Sequence, residues 1–141
     1  MSAEHLNKAK MLLSKTGCTC VICGDDVIIT DKRRGVRPLL DLLESKTHIA
    51  GFSAADKVVG KAAAYLYWLL GVEDLFANII SQPALTVLET AGITVEYTQL
   101  VPAIKNRTGD GFCPMERAVW DIDNPHEALE AIIGTLANLT K

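Results

Sequence analysis

Apolar positions follow a helical spacing in some stretches of the chain and a strand-like spacing in others. Residues 3–15 carry apolar side chains at helical spacing and end at Gly17, which predicts a first helix. Two β-rich runs, residues 19–23 and 27–30, flank a short turn of glycine and aspartate. Such a pattern predicts an antiparallel hairpin directly after this helix.

After the hairpin the pattern alternates between strands and helices. A helix begins at Pro38 and runs to about residue 45, and a strand is predicted near residues 48–52. The next predicted elements are a helix from about Asp56, a strand at 75–80, a helix at 83–90, a strand at 93–100, a short helix from Pro114 and a last helix over 125–139. This alternation predicts βαβ crossovers around a sheet that is at least partly parallel.

Length and composition narrow the class of protein. The 141 residues, 49% apolar and 22% charged, suffice for a single domain over residues 1–141. The net charge of −3 argues against a nucleic-acid-binding surface. Neither a signal-peptide pattern nor an apolar run of membrane-spanning length occurs, so we expect a cytoplasmic protein that does not enter a membrane.

Three of the four cysteines, Cys18, Cys20 and Cys23, crowd together in the first predicted strand. Strand alternation predicts Cys18 and Cys20 on one face and Cys23 on the other, so the three thiols do not converge on one ion. No second cluster of cysteine and histidine at ligand spacing follows. We therefore expect buried thiols that pack as small apolar groups, with no metal and no cofactor.

Residues 53–64 combine three charged side chains with small apolar residues. If the helix begins near Asp56, then Lys57 and Lys61 lie four residues apart on one helical face, beside free backbone N–H groups that favour anions. This predicts a pocket for a phosphate or carboxylate, bounded by Asp56, Lys57 and Lys61. The alternative is that Asp56 only caps the helix and the lysines are solvated.

Further candidate binding residues lie at two other helix entries. Ser81 and Gln82 begin the helix at Pro83, where the alternative is again simple capping. Arg34 belongs to a basic cluster that can bind a phosphate-bearing molecule through bidentate contacts, or can form a solvated loop. The cluster comprises Lys32, Arg33, Arg34 and Arg37.

Cys113 and Glu116 are the candidate catalytic residues. Cys113 directly precedes Pro114 at a predicted helix start, where a thiol can become a reactive thiolate, and Glu116 follows at the third helical position. The alternative is a structural cap closed by Glu116. No histidine can be assigned as a catalytic base for the thiol.

Several segments resemble a known group of enzymes without keeping its chemistry. In zinc-dependent deaminases one helix opens with His-Ala-Glu or Cys-Ala-Glu and a later one with Pro-Cys-x-x-Cys. Residues 55–57, Ala-Asp-Lys, stand where the first motif would fall, and residues 82–87 followed by Ala-Gly-Ile at 91–93 stand where the second would. Together with residues 34–40 and 113–116, they are similar to a small prokaryotic family of unknown function with the cytidine-deaminase-like fold.

The resemblance covers nearly the whole chain and implies an α/β fold of three layers, α-β-α, around a mixed sheet of about five strands. It does not imply zinc-dependent deamination. Asp56 can occupy the first ligand position, but Ala84 and Val87 carry no donor where two thiolates would be.

The sequence thus favours a metal-free protein that binds a small anionic metabolite or a nucleotide derivative. A second interpretation is an enzyme that uses Cys113 as nucleophile or Glu116 as acid and base on a nucleotide-like substrate. A third is a homo-oligomeric scaffold or subunit, because related folds often assemble.

Overall fold

The computed structural model describes residues 2–33, 35–105, 109, 111 and 113–139. Its helices and strands alternate much as the apolar pattern predicts. In chain order they are α1 (Ser2–Thr16), β1 (Cys20–Gly24), β2 (Val27–Asp31), α2 (Arg37–Glu44), β3 (Ser53–Val59), α3 (Lys61–Leu70), β4 (Asp74–Ser81), α4 (Gln82–Thr90), β5 (Thr94–Val101), α5 (Pro114–Ala118) and α6 (Pro125–Leu139).

The five strands form one mixed sheet in the order β2-β1-β3-β4-β5. β1 pairs antiparallel with both β2 and β3, whereas β3, β4 and β5 are parallel to one another. The hairpin between β1 and β2 is confirmed: Gly24 pairs with Val27, which leaves Asp25 and Asp26 as a two-residue loop. Asp26 adopts a φ of +58°, a conformation that aspartate tolerates in tight turns.

Helices cover both faces of the sheet. α1 packs on one face through Ala9 and Leu13, which contact a small apolar cluster on β1 and β3. α2, α3 and α4 contribute to the larger core on the opposite face, and α5 and α6 lie against α3. The predicted α/β architecture with a five-stranded mixed sheet is therefore confirmed.

α3 is the central helix of the larger core. Seven of its ten residues are buried, because the helix contacts β3 on one side and α2, α4, α5 and α6 on others. An apolar surface all round is the pattern expected of a helix without a solvent-facing side. The sequence-based expectation of a buried helix body in this region is thus correct.

The start of this helix, however, lies later than the sequence predicts. Residues 53–59 form β3, Gly60 is the N-cap residue, and Lys61 is the first helical residue. β3 pairs with β1 on one side and β4 on the other, and an interior strand of small apolar residues is hard to tell from a buried helix by sequence alone. Asp56 and Lys57 therefore do not belong to a helix.

The strand predicted near residues 48–52 is also absent. Ile49 is buried in the larger core and Phe52 packs against it, so both apolar residues anchor an irregular connection. Gly51 lies in this connection at a φ of +83° and donates its N–H to the carbonyl of Gly71, 2.8 Å away. The apolar residues of this segment pack on the core without forming the predicted strand.

The cysteines occupy different faces from those predicted. Cys20 faces the larger core, whereas Cys18 and Cys23 pack with Val21 beneath α1. Cys18 precedes the first residue of β1, so strand alternation does not govern its direction. The thiols are still divided between the two faces, and all are free.

No described helix combines the length and the apolar character needed to cross a membrane.

Candidate functional site

The carboxyl ends of β3 and β4 lie side by side, because Val59 pairs with Ile80. This edge of an open α/β sheet is where ligands commonly bind. It brings the N-termini of α3 and α4 together, as the sequence predicts. Ser81 is fully buried there, and its hydroxyl oxygen accepts the N–H of Ala84 at 3.2 Å, while Gln82 is exposed. Ser81 therefore acts as the N-cap of α4.

The N-terminus of α3 contacts a carboxylate of the protein itself. Glu116 is buried, with 1% of its surface exposed. One carboxylate oxygen accepts the backbone N–H of Lys61 at 2.5 Å, and the other accepts that of Ile104 at 2.8 Å. Glu116 thus links α5, the segment after β5 and the first turn of α3. An external anion at this N–H of α3 would have to displace Glu116.

Gly60 makes this close approach possible. A Cβ atom at position 60 would lie 3.1 Å from a carboxylate oxygen of Glu116 and 3.2 Å from a side-chain carbon of Ile104. The φ of −94° at Gly60 is accessible to any residue, so the requirement for glycine is one of space.

Lys61 also binds the C-terminal part of the chain. Its ammonium group donates to the carbonyl of Trp120 at 2.7 Å and lies 5.8 Å from the centre of the Tyr65 ring. The Tyr65 hydroxyl donates to the carbonyl of Ile122 at 2.6 Å. Burial lowers the pKa of Lys61, although the nearby acidic side chains, Asp121 first among them, act in the opposite direction. Together these contacts attach the connection between α5 and α6 to α3.

A second polar cluster lies between the sheet and α3, where β1 and β3 face the helix. The hydroxyl of Tyr67 donates to one carboxylate oxygen of Asp56 at 2.7 Å, and the backbone N–H of Val58 lies 3.3 Å from the other. The Cys20 sulfur is 3.3 Å from the Tyr67 hydroxyl oxygen. We call Cys20, Asp56 and Tyr67 the aspartate cluster.

Burial dominates the electrostatics of the aspartate cluster. Desolvation raises the pKa of Asp56 to about 7, although hydrogen bonds from Tyr67 and from the backbone oppose the shift. Burial, reinforced by the charge of Asp56, also raises the pKa values of Tyr67 and Cys20, which keeps the phenol and thiol protonated. Among the residues that the structure describes, no lysine or arginine forms an ion pair with Asp56.

Asp56 lies where the sheet narrows. β1 begins at Cys20, directly opposite Asp56. Just before β1, the Thr19 carbonyl still accepts a hydrogen bond from the Lys57 N–H at 3.1 Å. β3 continues beyond this point to Val59, and Val58 is exposed. We call the place where β3 extends beyond the start of β1, from Asp56 to Val59, the notch. Asp56 retains part of its surface there.

Lys57 and Lys61 do not share a face. Asp56 points towards α3, so its strand neighbour Lys57 points to the face that carries α1. The predicted helical pair therefore does not form, because residues 56 and 57 alternate across a strand. Asp56 and Lys61 are both near the carboxyl end of β3, but Lys61 is engaged with Trp120.

The basic cluster begins at the end of β2, beside the notch. The Thr19 hydroxyl donates to the carbonyl of Arg33 at 2.7 Å. The Arg33 guanidinium forms ion pairs with Asp31 and Asp41, both at 2.7 Å, and its hydrogen bonds lower the pKa of Asp31. Arg34, the candidate binding residue of the cluster, lies outside the described residues.

Cys113 is the N-cap residue of α5, yet its side chain forms no capping hydrogen bond. Its backbone N–H donates to the carbonyl of Ile104 at 2.9 Å. The alternative, a capping box closed by Glu116 on its own helix, does not form, because Glu116 instead accepts from Lys61 and Ile104. In the described part of the chain, no group of three or more histidine, cysteine or acidic side chains has the arrangement of a metal site.

Tyr67 and Ile104 are the site residues that sequence reasoning missed. Tyr67 stands in an apolar helix, and its hydroxyl was the only signal that a polar partner must lie within the core. Ile104 contributes through its backbone N–H, which leaves no sequence signal.

A family model described as TM1506, a domain of unknown function (DUF1893), matches residues 8–136. The chain belongs to the DUF1893 family. The chain is similar to a DUF1893 family protein of known crystal structure, TM1506 from Thermotoga maritima, with 25% sequence identity. The structural match covers 95% of this chain and 91% of the TM1506 chain, with a TM-score of 0.87. The predicted resemblance to a family of unknown function is confirmed.

The fold also matches, more weakly, an apo structure of dCMP deaminase from the cyanophage S-TIM5. That match has 12% identity and a TM-score of 0.44, and it covers 68% of this chain and 95% of the deaminase. It carries no inference about the activity of this chain. The sequence matches no curated protein.

Glu116→Gln tests the contact at the start of α3. The amide offers only one acceptor to the two N–H groups, so we expect the free energy of unfolding to fall by about 2 kcal/mol in denaturant titrations. Glu130→Gln, an exposed change on α6, is the control and should stay within about 0.5 kcal/mol of the wild type. Equal stability of the two variants would contradict the contact.

Gly60→Ala tests the space beside Glu116. Crowding against Glu116 and Ile104 should destabilise the protein by about 1–2 kcal/mol. Gly134→Ala in α6 is the matched control, because a Cβ there meets nothing and should stabilise the helix by roughly 0.5–1 kcal/mol. Thermal unfolding should therefore move in opposite directions for the two variants; a shift in the same direction would argue against crowding.

Asp56→Asn tests the titration of the aspartate cluster. Because folding raises the pKa of Asp56, the folded state holds this proton more tightly than the unfolded chain does. The resulting stabilisation is complete below about pH 4 and is lost as the pH rises through about 7. Asn stays neutral, so the stability of Asp56→Asn relative to the wild type should increase from pH 4 to pH 8.

Urea unfolding across this pH range measures the difference. Asp123→Asn, which replaces an exposed carboxylate, should show a much smaller dependence. A difference between Asp56→Asn and the wild type that does not change with pH would show that Asp56 titrates normally.

Proposed function

We propose that this protein binds a small molecule at the notch, with Asp56 as the residue that recognises it. The observation that carries the proposal is a largely desolvated carboxyl group that has no cationic partner among the described residues. Such a group costs stability unless it is satisfied. A perturbed carboxyl at an accessible edge of an α/β sheet is a reasonable candidate for a binding group.

Asp56 favours a ligand that offers hydrogen-bond donors. Tyr67 supplies one strong hydrogen bond, and the N–H of Val58 supplies a longer one. A carboxyl group has further acceptor positions. An amino or ring N–H group of a nucleobase, or a small amine, fits this requirement.

Two exposed residues of the basic cluster support an anionic group on the same ligand. Lys32 and Arg37 are exposed, one directly after β2 and the other at the first position of α2. Arg33 is already paired with two carboxylates. A nucleotide derivative carries both base donors and phosphate, so it is the class of ligand that these residues support best.

For the candidate catalytic residues the geometry favours a structural role. Both oxygens of Glu116 accept backbone N–H groups, which leaves the carboxylate poorly placed to exchange protons with a substrate. The Cys113 thiol forms no hydrogen bond with a basic side chain in the described part of the chain. The binding interpretation therefore has more support than nucleophilic catalysis.

A thermal-shift series with nucleobases, nucleosides and nucleotides tests the proposal. A ligand that binds only the native state must raise the melting temperature. We expect at least one nucleotide to do so for the wild type, with the shift lost in Asp56→Asn and retained in Asp123→Asn. Arg37→Gln should weaken the response to the nucleotide more than the response to the matching nucleoside.

No response of the wild type to any member of the series would contradict the proposal. An unchanged response of Asp56→Asn would place the binding site elsewhere. Circular dichroism of each variant distinguishes lost binding from lost structure.

A further inference from the structure

The two edges of the sheet differ in how they are protected. β2, at one edge, has five residues; its hairpin loop contains Asp25 and Asp26, and its last residue, Asp31, is paired with Arg33. Short strands and charged flanks are ordinary ways to keep an edge from pairing with another chain. This edge is therefore protected despite the exposed Val27 and Ile28.

β5, at the other edge, lacks such protection. It has eight residues, Thr94–Val101, with no proline, glycine or lysine. Its one charged side chain, Glu96, forms an ion pair with Lys10 of α1. Tyr97 and Leu100 are 41% and 38% exposed. No described strand pairs with its outer side.

The described elements that follow β5 in the chain lie away from its outer side. The segment after β5 crosses back over the strand ends, since Ile104 reaches Gly60 at the end of β3. α5 and α6 then pack against α3, on the side of the larger core. The described part of the chain therefore provides nothing that covers the outer backbone groups of β5.

We propose that β5 pairs antiparallel with β5 of a second copy of this chain, forming a two-fold symmetric dimer with a continuous ten-stranded sheet. In an antiparallel pair, residues directly opposite each other lie on the same face of the sheet. If the two-fold axis lies at the middle of β5, it therefore passes beside Tyr97 or Thr98, and that residue faces its own copy. Either register places Glu96 opposite a neutral residue, Thr98 or Leu100. Like charges therefore do not meet across the pair, and exposed apolar side chains of both copies approach each other.

This occupant is favoured over an unrelated peptide because β5 is compatible with itself in both registers. β-strand addition gives affinity through main-chain hydrogen bonds and specificity through the facing side chains. The proposal does not depend on the notch or on any ligand.

Sedimentation equilibrium of the wild type and two variants tests the dimer. The wild type should sediment at twice the mass of the chain. Tyr97→Lys places like charges beside the axis in either register, with no acidic residue of β5 directly opposite them, and should give monomers. Ile28→Lys is the matched control, since it places the same charge on the exposed surface of the other edge strand and should leave the dimer intact.

A cross-linking experiment keeps the test independent of folding losses in Tyr97→Lys. Facing Cα atoms of an antiparallel pair lie about 4.5–5.5 Å apart, within reach of a disulfide. Under mild oxidation, either Tyr97→Cys or Thr98→Cys should form a covalent dimer, whereas Ile28→Cys and the wild type should not. A monomeric wild type, or a dimer that Ile28→Lys disrupts and Tyr97→Lys does not, would overturn the proposal.

Discussion

The burial of α3 on most of its surface is the constraint on which the rest of the structure depends. The sheet, α2, α4, α5 and α6 surround the helix, so its polar groups must find partners within the protein. Glu116 accepts the N–H of its first residue, and Gly71, in the left-handed conformation, closes its last turn with hydrogen bonds to the carbonyls of Tyr67 and Trp68. The hydroxyl of Tyr67 reaches Asp56. The contacts of Glu116 and Tyr67 also attach other elements, α5 and β3, to this helix.

Two carboxyl groups, those of Glu116 and Asp56, accept hydrogen bonds from this helix. The number and length of their hydrogen bonds differ, and this difference bears on function. Glu116 accepts two short hydrogen bonds from backbone N–H groups, one for each oxygen, which is the arrangement of a structural anion site. Asp56 receives one short bond from a phenol and one long bond from a backbone N–H. It also keeps part of its surface at the notch. In the proposed function, Asp56 is therefore the group that an external ligand would satisfy.

Features with local signals could be predicted from the sequence, whereas those that depend on distant contacts could not. The Gly-Asp-Asp turn predicted the hairpin, and Asn124 caps α6 as its position before Pro125 indicates, accepting from His126 and Glu127. The sequence predicts a helix start within β3 because small apolar residues in an interior strand carry no alternation. The Glu116 contact joins residues 55 positions apart, which no local pattern reveals.

Direct titration of the Asp56 carboxyl by carbon-detected NMR shows whether a desolvated carboxyl with no cationic partner among the described residues faces the notch. We expect a titration midpoint at a pH of about 7. Tyr67→Phe removes the hydrogen bond that stabilises the charged form and should move the midpoint higher. A midpoint near that of an exposed aspartate, about 4, would contradict the account, because Asp56 would then be well solvated or already paired.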